Sequence, residues 1–266
     1  MKVEIWSDVF CPFCYIGKRR FEEALAQFPQ RENVELVWHS FQLDPGAPVE
    51  SPDTTQERLA KKFGNAERAR AMNDHVTQLA AEVGLRYDFD RTPVTNSFDA
   101  HRLGHLAAAH GLGDAAEERL FAAYFVEGRH VGRHDSLVEL GGEIGLDKGE
   151  VAAMLAGDDY ADAVRADIAE AAELGISGVP FFVFDRKYGV SGAQPSTAFL
   201  DVLNTTWAER SPLTMLTPAG ATDADACTGD ICAVPLRSRR RTPTTKPKRR
   251  WKPHTVSRLC SVRASG

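Results

Sequence analysis

The sequence predicts an α/β fold in the order β-α-β, then a long all-helical block, then β-β-α. Three observations predict it. Strand-like runs of β-branched and aromatic residues are confined to Val3–Trp6, Val34–Phe41 and Phe181–Ser191. Between the second and third runs, residues 52–175 repeat apolar side chains at helical spacing. Glycines cut that stretch into pieces of helix length.

Taken in order, Val3–Trp6 (VEIW) runs into Ser7-Asp8 and reads as a strand entering a helix-capping loop. From Ile16 to Phe28, the side chains of Ile16, Phe21, Ala24, Leu25 and Phe28 share one face of an amphipathic helix that Pro29 stops. Val34–Phe41 (VELVWHSF) reads as a second, largely buried strand. After FQLDPGAP, Ser51 or Asp53 is placed to cap a helix through Phe63. Further helices are predicted near Ala66–Val83, Ser97–His110, Asp114–Phe125, Ser136–Ile144, Asp147–Leu155 and Tyr160–Leu174. Gly84, Gly111, Gly128, Gly145, Gly157 and Gly175 stand where C-caps belong. Phe181–Phe184, a turn at Asp185-Arg186-Lys187 and Tyr188–Ser191 make a β-hairpin, and a last helix spans Ser196–Trp207. The helical block shows no repeat of fixed period.

With 43% hydrophobic and 26% charged residues, the chain has ordinary globular composition and can bury a core. Its longest apolar runs, such as VPFFVF, fall far short of the roughly 20 residues that cross a bilayer, so no membrane span is expected. The start MKVEIWSDVF lacks the features of a secretory signal, which leads to the expectation of a cytoplasmic protein. Five cysteines in that compartment point to catalysis, redox sensing or metal binding rather than to a disulfide framework. Charge is unevenly spread: residues 237–266 hold 11 of the 32 Lys and Arg and no acid, leaving 21 basic against 37 acidic side chains before them.

The chemistry concentrates in Cys11-Pro12-Phe13-Cys14, placed where the first strand hands over to a helix. A cysteine at a helix N-terminus faces unpaired backbone N–H groups and the positive end of the helix dipole, which favour its thiolate. Cys14, almost one turn further in, is close enough to form a disulfide yet shielded by the helix. That asymmetry makes Cys11 the attacking sulfur and Cys14 the resolving one. Pro12 suits a first turn, where its missing N–H needs no partner. CxxC alone is compatible with redox chemistry, with zinc or with a structural role; the strand-loop-helix setting favours redox. A second candidate is Gly178-Val179-Pro180-Phe181, where a proline that cannot donate to a ladder directly precedes the hairpin. His101 and His105, spaced i, i+4, suit a helix face or core better than a metal, since no acidic or thiol third ligand is placed with them.

Four segments, WSDVFCPFCYIGKRRFE, FQLDP, NSFDAHRLGHLA and GVPFFVFDRKYGVSGAQP, match in kind and order the DsbA-like thioredoxin superfamily. Within it they resemble the cytoplasmic FrnE-type oxidoreductases over about residues 2–235. The resemblance implies a thioredoxin-like fold, discontinuous over residues 1–45 and 176–212 and split by a DsbA-like helical insertion at 46–175. It further implies a cis peptide at Val179-Pro180, with Pro180 beside the cysteines, and thiol-disulfide exchange that cycles Cys11 and Cys14. Protein substrates would be held by Pro12, Phe13, Val179 and Phe181, partly through backbone pairing near Val179. The segment of Asn96, Ser97, His101 and Arg102 would pack near the active-site face. Phe13 stands where many relatives have Trp, which leaves the redox potential and the direction of electron flow open. No metal and no cofactor beyond the dithiol is implied, apart from glutathione as a conceivable co-substrate.

Residues 213–236 read as a flexible segment carrying a second pair, Cys227 and Cys232, which the resemblance offers as an auxiliary redox pair; the plain alternative is two exposed thiols. Residues 237–266 read as a basic disordered tail that includes Cys260, and this solvated reading outweighs nucleic-acid binding. The expected partners are protein thiols and disulfides and a thioredoxin or glutathione system, with no membrane and a monomer or homodimer. Three rival functions stay open, one of them a zinc-binding interaction module. A glutathione-dependent isomerase of the kappa or hydroxychromene-carboxylate type commonly has Ser at the position of Cys11. A chaperone-like binding protein would use the insertion and leave the thiols incidental.

Overall fold

In the computed structural model, residues 1–210 are described; Cys227, Cys232, Cys260 and the basic tail lie outside the described residues. Met1–Pro212 forms one compact unit. Its elements are β1 (Lys2–Ser7), α1 (Pro12–Gln27), β2 (Glu35–Ser40), α2 (Thr55–Phe63), α3 (Ala66–Glu82), α4 (Phe98–Ala109), α5 (Gly113–Phe121), α6 (His134–Glu143), α7 (Lys148–Ala156), α8 (Ala161–Glu173), β3 (Phe181–Phe184), β4 (Tyr188–Ser191) and α9 (Ser196–Ala208). The predicted order of β-α-β, helices and β-β-α is the observed one.

The sheet runs β2-β1-β3-β4. β1 pairs parallel with β2, Ile5 opposite Trp38, and antiparallel with β3, Ile5 opposite Phe182. A parallel neighbour needs a crossover, which α1 supplies. The interior position of β1 explains its burial from Val3 to Ser7: Val3 and Ile5 face a cluster with Phe21, Phe28, Phe182, Phe184, Phe199 and Leu203 from α1 and its C-cap, β3 and α9. Trp6 faces the other way, with Ala171, Ile176 and Val183, beneath α8. Aromatic rings fill the first layer, Phe182 and Phe199 meeting at 4.6 Å in an edge-on pair.

A third cluster is the core of the helical insertion, and it contains Cys11, Cys14, Tyr15 and Ile16 together with Leu103, Leu120, Phe121 and Phe125. The cysteine turn is therefore packed into the insertion rather than into the sheet layer. α1 is the element shared by both, with Phe21 and Ala24 turned to the strands.

Three local expectations are corrected. The cap of α2 is neither Ser51 nor Asp53 but Thr54, which forms a capping box with Glu57. Asp114–Phe125 is not one α-helix, because α5 ends at Phe121 and a π turn, Ala122–Val126, follows. That turn lets Tyr124 donate to the Pro93 carbonyl at 3.0 Å while Phe125 stacks on Tyr87 at 4.7 Å. Gly157 has φ of −110° and no left-handed cap, unlike the other five predicted glycines. The end of α7 is satisfied instead by Arg102, whose guanidinium donates to the carbonyls of Met154 and Gly157.

Candidate active site

Cys11 is the N-cap of α1, with Pro12 in the first helical turn. The loop before it is held shut by backbone bonds: Cys11 N–H donates to the Asp8 carbonyl at 2.9 Å, and Phe41 N–H donates to the Ser7 carbonyl at 2.9 Å. Tyr87 reaches over from the insertion and donates its hydroxyl to the Pro12 carbonyl at 2.7 Å. The tip of the cysteine turn is thus fixed by the sheet on one side and the helical block on the other.

The Val179-Pro180 bond is cis. It brings the Val179 carbonyl to 3.3 Å from Cys11 Sγ, close enough to accept from the thiol. α1 can approach this loop because residue 17 is glycine. A Cβ there would stand 3.1 Å from Pro180 Cγ and 3.5 Å from both Ala193 Cβ and the Phe182 ring. Of the four expected substrate-binding side chains, Pro12 and Phe13 flank the cysteines in the turn, Val179 packs against the cluster that holds both thiols, and Phe181 packs instead with Trp6; Phe13, 40% exposed, is the most open.

The two cysteines stand as free thiols. Exposure does not separate them as their helical positions suggested, since Cys11 is 3% and Cys14 1% accessible. Their surroundings do. Cys11 lies at the seam between the helix end and the cis-proline loop. Cys14 is enclosed, and burial, with Cys11 beside it, pushes its thiol well above the ordinary range. The neighbouring Asp8 and Ser7 work in the opposite direction without overcoming burial.

An apolar cavity, about 190 Å³, lies between the cysteine turn and helices α2 and α3; Phe10, Pro12, Phe13, Leu59, Val76 and Tyr124 line it, whereas Val179 and Pro180 do not.

The NSFDAHRL segment opens α4 behind the cysteine loop. Gln42 Nε2 donates to Asn96 Oδ1 at 3.1 Å, and His101 Nε2 stands 3.5 Å from Asp8 Oδ1. His101 and His105 do not share a ligand, because His105 Nε2 turns to Asp167 at 3.0 Å. Asp167, which sequence reasoning did not single out, also meets His39 Nδ1 at 2.7 Å and accepts from Ser40 N–H at 2.8 Å. Burial opposes its charge, yet these partners outweigh it and hold its carboxyl well below the usual range. His39, Asp167 and Glu170 bring ligand atoms within 4.8 Å of one another, the one such group among the described residues. The Arg186 guanidinium already neutralises Glu170 at 2.6 Å and bonds Glu4, so positive charge stands where a cation would sit. Buried Asp8 and Glu117 were not singled out as site residues either: Asp8 was read only as part of the loop before the helix, and Glu117 belongs to no sequence motif.

Residues 2–204 match the family model described as the DSBA-like thioredoxin domain. The chain is similar to a protein from Streptomyces coelicolor described as a probable DsbA oxidoreductase, at 47% identity over 88% of this chain and 99% of that one, with a TM-score of 0.77. It is 28% identical to the uncharacterized protein YwbO of Bacillus subtilis over 68% of this chain and 85% of the relative. The cytosolic disulfide reductase DsbM of Pseudomonas aeruginosa, solved with GSH, shares the fold at 20% identity, 78% and 100% coverage and a TM-score of 0.57.

Proposed function

Since this chain belongs to the DSBA-like thioredoxin domain family, we propose that it exchanges disulfides with protein substrates through Cys11 and Cys14. The observation that carries this reading is the seating of both thiols at the α1 N-terminus, with Cys11 Sγ 3.3 Å from the carbonyl that precedes Pro180. In the reducing direction the Cys11 thiolate attacks a substrate disulfide and one substrate sulfur leaves. The Cys14 thiolate then attacks Cys11 Sγ, releases the second substrate sulfur and leaves a Cys11–Cys14 disulfide. Glutathione or a thioredoxin-type dithiol would return that disulfide to the dithiol, and the oxidising direction runs the same steps backwards.

In this reading Pro12, Phe13 and the neighbouring apolar cavity take the side chain beside the substrate cysteine, while Val179 and Phe181 receive its backbone. Cys227 and Cys232 serve as an auxiliary pair that passes electrons to Cys11–Cys14, and the protein works in the cytoplasm. Two cysteines in one turn support exchange over glutathione-dependent isomerisation, which needs no second thiol. They also support it over a binding protein, which needs neither.

Reduction of insulin by the full chain, with glutathione or dithiothreitol as reductant, tests the reading. Cys11→Ser should abolish turnover, Cys14→Ser should accumulate a mixed disulfide with substrate, and Cys227→Ser should lower the rate partially. Wild-type protein that leaves both insulin reduction and dithiol oxidation at the uncatalysed rate would sink it.

A further inference from the structure

Exchange at Cys11 and Cys14 leaves unexplained the make-up of the apolar cavity beside them and of the helix that walls it. α2 turns Leu59 and Phe63, one helical turn apart, to the cavity, yet no residue of α2 is buried. Its N-terminal end is fixed by polar contacts instead: the capping box of Thr54 and Glu57, a bridge between Thr54 and Pro93, and the Thr55 hydroxyl donating to the Thr92 carbonyl at 2.6 Å. Phe13 and Met72, two of the five exposed large apolar side chains among the described residues, line the same space. An amphipathic helix ordinarily buries its apolar stripe. Here the stripe, the tip of the cysteine turn and Met72 surround room that a ligand can fill.

The polar groups of the cavity narrow what that ligand is. No charged side chain lines it among the described residues. Thr55, Thr92 and Tyr124 give their hydroxyl hydrogens to the carbonyls of Thr92, Phe89 and Pro93. Asn73, on α3, differs from them: it lines the cavity, is 8% exposed, and its amide Nδ2 has no hydrogen-bond partner among the described residues. An unpaired buried amide destabilises the free protein, and a ligand that reaches it relieves that cost on binding. A neutral amide in an apolar surround suits a ring that ends in a hydroxyl. The ring covers Leu59 and Phe63, and the hydroxyl, both donor and acceptor, meets either end of the amide.

We propose that this cavity is a specificity pocket for a tyrosine side chain next to the cysteine of the substrate polypeptide, and that Asn73 reads its hydroxyl. The assignment rests on the thiol-disulfide reading above and names the substrate class that the reading leaves open. Phe10, Pro12 and Phe13 join the pocket to the reactive turn, so the side chain that neighbours the attacked sulfur is the one presented to it. Asn73 touches no reacting atom. It decides which polypeptide is exchanged, while Cys11 and Cys14 carry out the exchange.

Other side chains meet these demands less well. Phe, Leu or Met would fill the space but leave the Asn73 amide unpaired, and a site with a buried polar group discriminates against the analogue that lacks its partner. Asp, Glu, Lys or Arg would bury a charge where the lining supplies no counter-charge. Ser and Thr carry the hydroxyl but too little apolar surface to cover Leu59 and Phe63.

The test mixes the reduced full chain with disulfide-linked dimers of a short peptide near neutral pH and follows release of the peptide thiol. One set of peptides varies the residue before the cysteine among Tyr, Phe, Leu and Glu, and a second set varies the residue after it. In one of the two sets the second-order rate constant for the Tyr peptide should exceed that for the Phe peptide about tenfold, with the Glu peptide slowest. In Asn73→Leu the ratio of Tyr to Phe should fall to about one, and Asn73→Ala repeats the comparison if the leucine variant does not fold. The ratio is taken within one preparation, so a partly unfolded sample lowers both rates and leaves it unmoved. A wild-type ratio within about twofold of unity in both sets overturns the proposal, as does a preference for Tyr that survives the loss of Asn73. Wild-type protein that neither releases thiol from any peptide nor reduces insulin removes the exchange reading itself, whereas equal release from every peptide removes the pocket alone.

Discussion

Replacing Glu117 by Gln should make the protein more stable above neutral pH, and the size of the gain can be worked from burial. The carboxyl is neutral in both folded and unfolded chains below about pH 4.5, its ordinary value, and burial raises the folded value to about 7. Between those limits the unfolded chain has lost the proton and the folded chain has kept it, so stability falls as pH rises. At about 1.36 kcal/mol per pH unit, the interval of 2.5 units corresponds to about 3 kcal/mol, fully expressed above pH 7. Gln does not ionise and escapes that loss, while burying its extra N–H donors costs about 1 kcal/mol. His101 adds to the effect in the same direction. Its raised affinity for a proton stabilises the fold below its unfolded value of 6.5 and is lost as pH rises through the folded value, and Glu117 is one of its causes. Urea denaturation at pH 5 and pH 8.5 should therefore show the variant near or below wild type at pH 5 and about 2 kcal/mol above it at pH 8.5. Stability differences that stay within 0.5 kcal/mol of each other at the two pH values, about the resolution of such comparisons, would refute the burial argument.

Two further outcomes follow from the packing. Asp167→Asn should cost about 3 kcal/mol at pH 7, because it removes the charge that accepts from Ser40 N–H and meets two imidazoles. Its carboxyl is held well below the ordinary 3.8, so the wild-type advantage is complete above that value and is lost as pH falls from there toward the folded value; urea melts at pH 7 and pH 2 should show the gap closing. Gly17→Val should destabilise the protein by about 1–3 kcal/mol and slow insulin reduction, since the new side chain enters the space held by Pro180 Cγ at 3.1 Å from the Cβ position. Thermal melts and turnover measured on one preparation check both.

The order of elements was legible because each carries its own local signal. The hairpin Phe181–Phe184 and Tyr188–Ser191 follows from strand-like runs on either side of a polar turn, and its bounds match the predicted ones. The capping box of Thr54 and Glu57 is equally present in the sequence, as a threonine three residues before a glutamate, but Ser51 and Asp53 are cap-type residues within three positions of it and give the same local signal. The π turn after Phe121 carries no such local signature, because it is set by partners far along the chain, Pro93 for Tyr124 and Tyr87 for Phe125. The cysteines and Pro180 announce themselves by type and spacing. Asp8, Glu117 and Asp167 do not, since an isolated acid on a strand end or helix reads as solvated surface until the fold buries it.

That difference bears on how the insertion takes part in the chemistry. Had the sheet alone held the thiols, the helical block would serve to widen the docking surface and little more. Cys11 and Cys14 instead share a core with Leu103, Leu120 and Phe125. The turn between the cysteines is pinned by Tyr87, and the carboxylate behind it by His101, both contributed by the insertion. Loosening α4 or α5 would therefore disturb the surroundings of Cys14 before it disturbed the sheet, whose aromatic layer of Phe21, Phe182 and Phe199 is built without either helix. Reactivity at the resolving thiol and stability of the insertion are thus coupled, and substitutions in α4 and α5 should act on the second half of the exchange more than on the first.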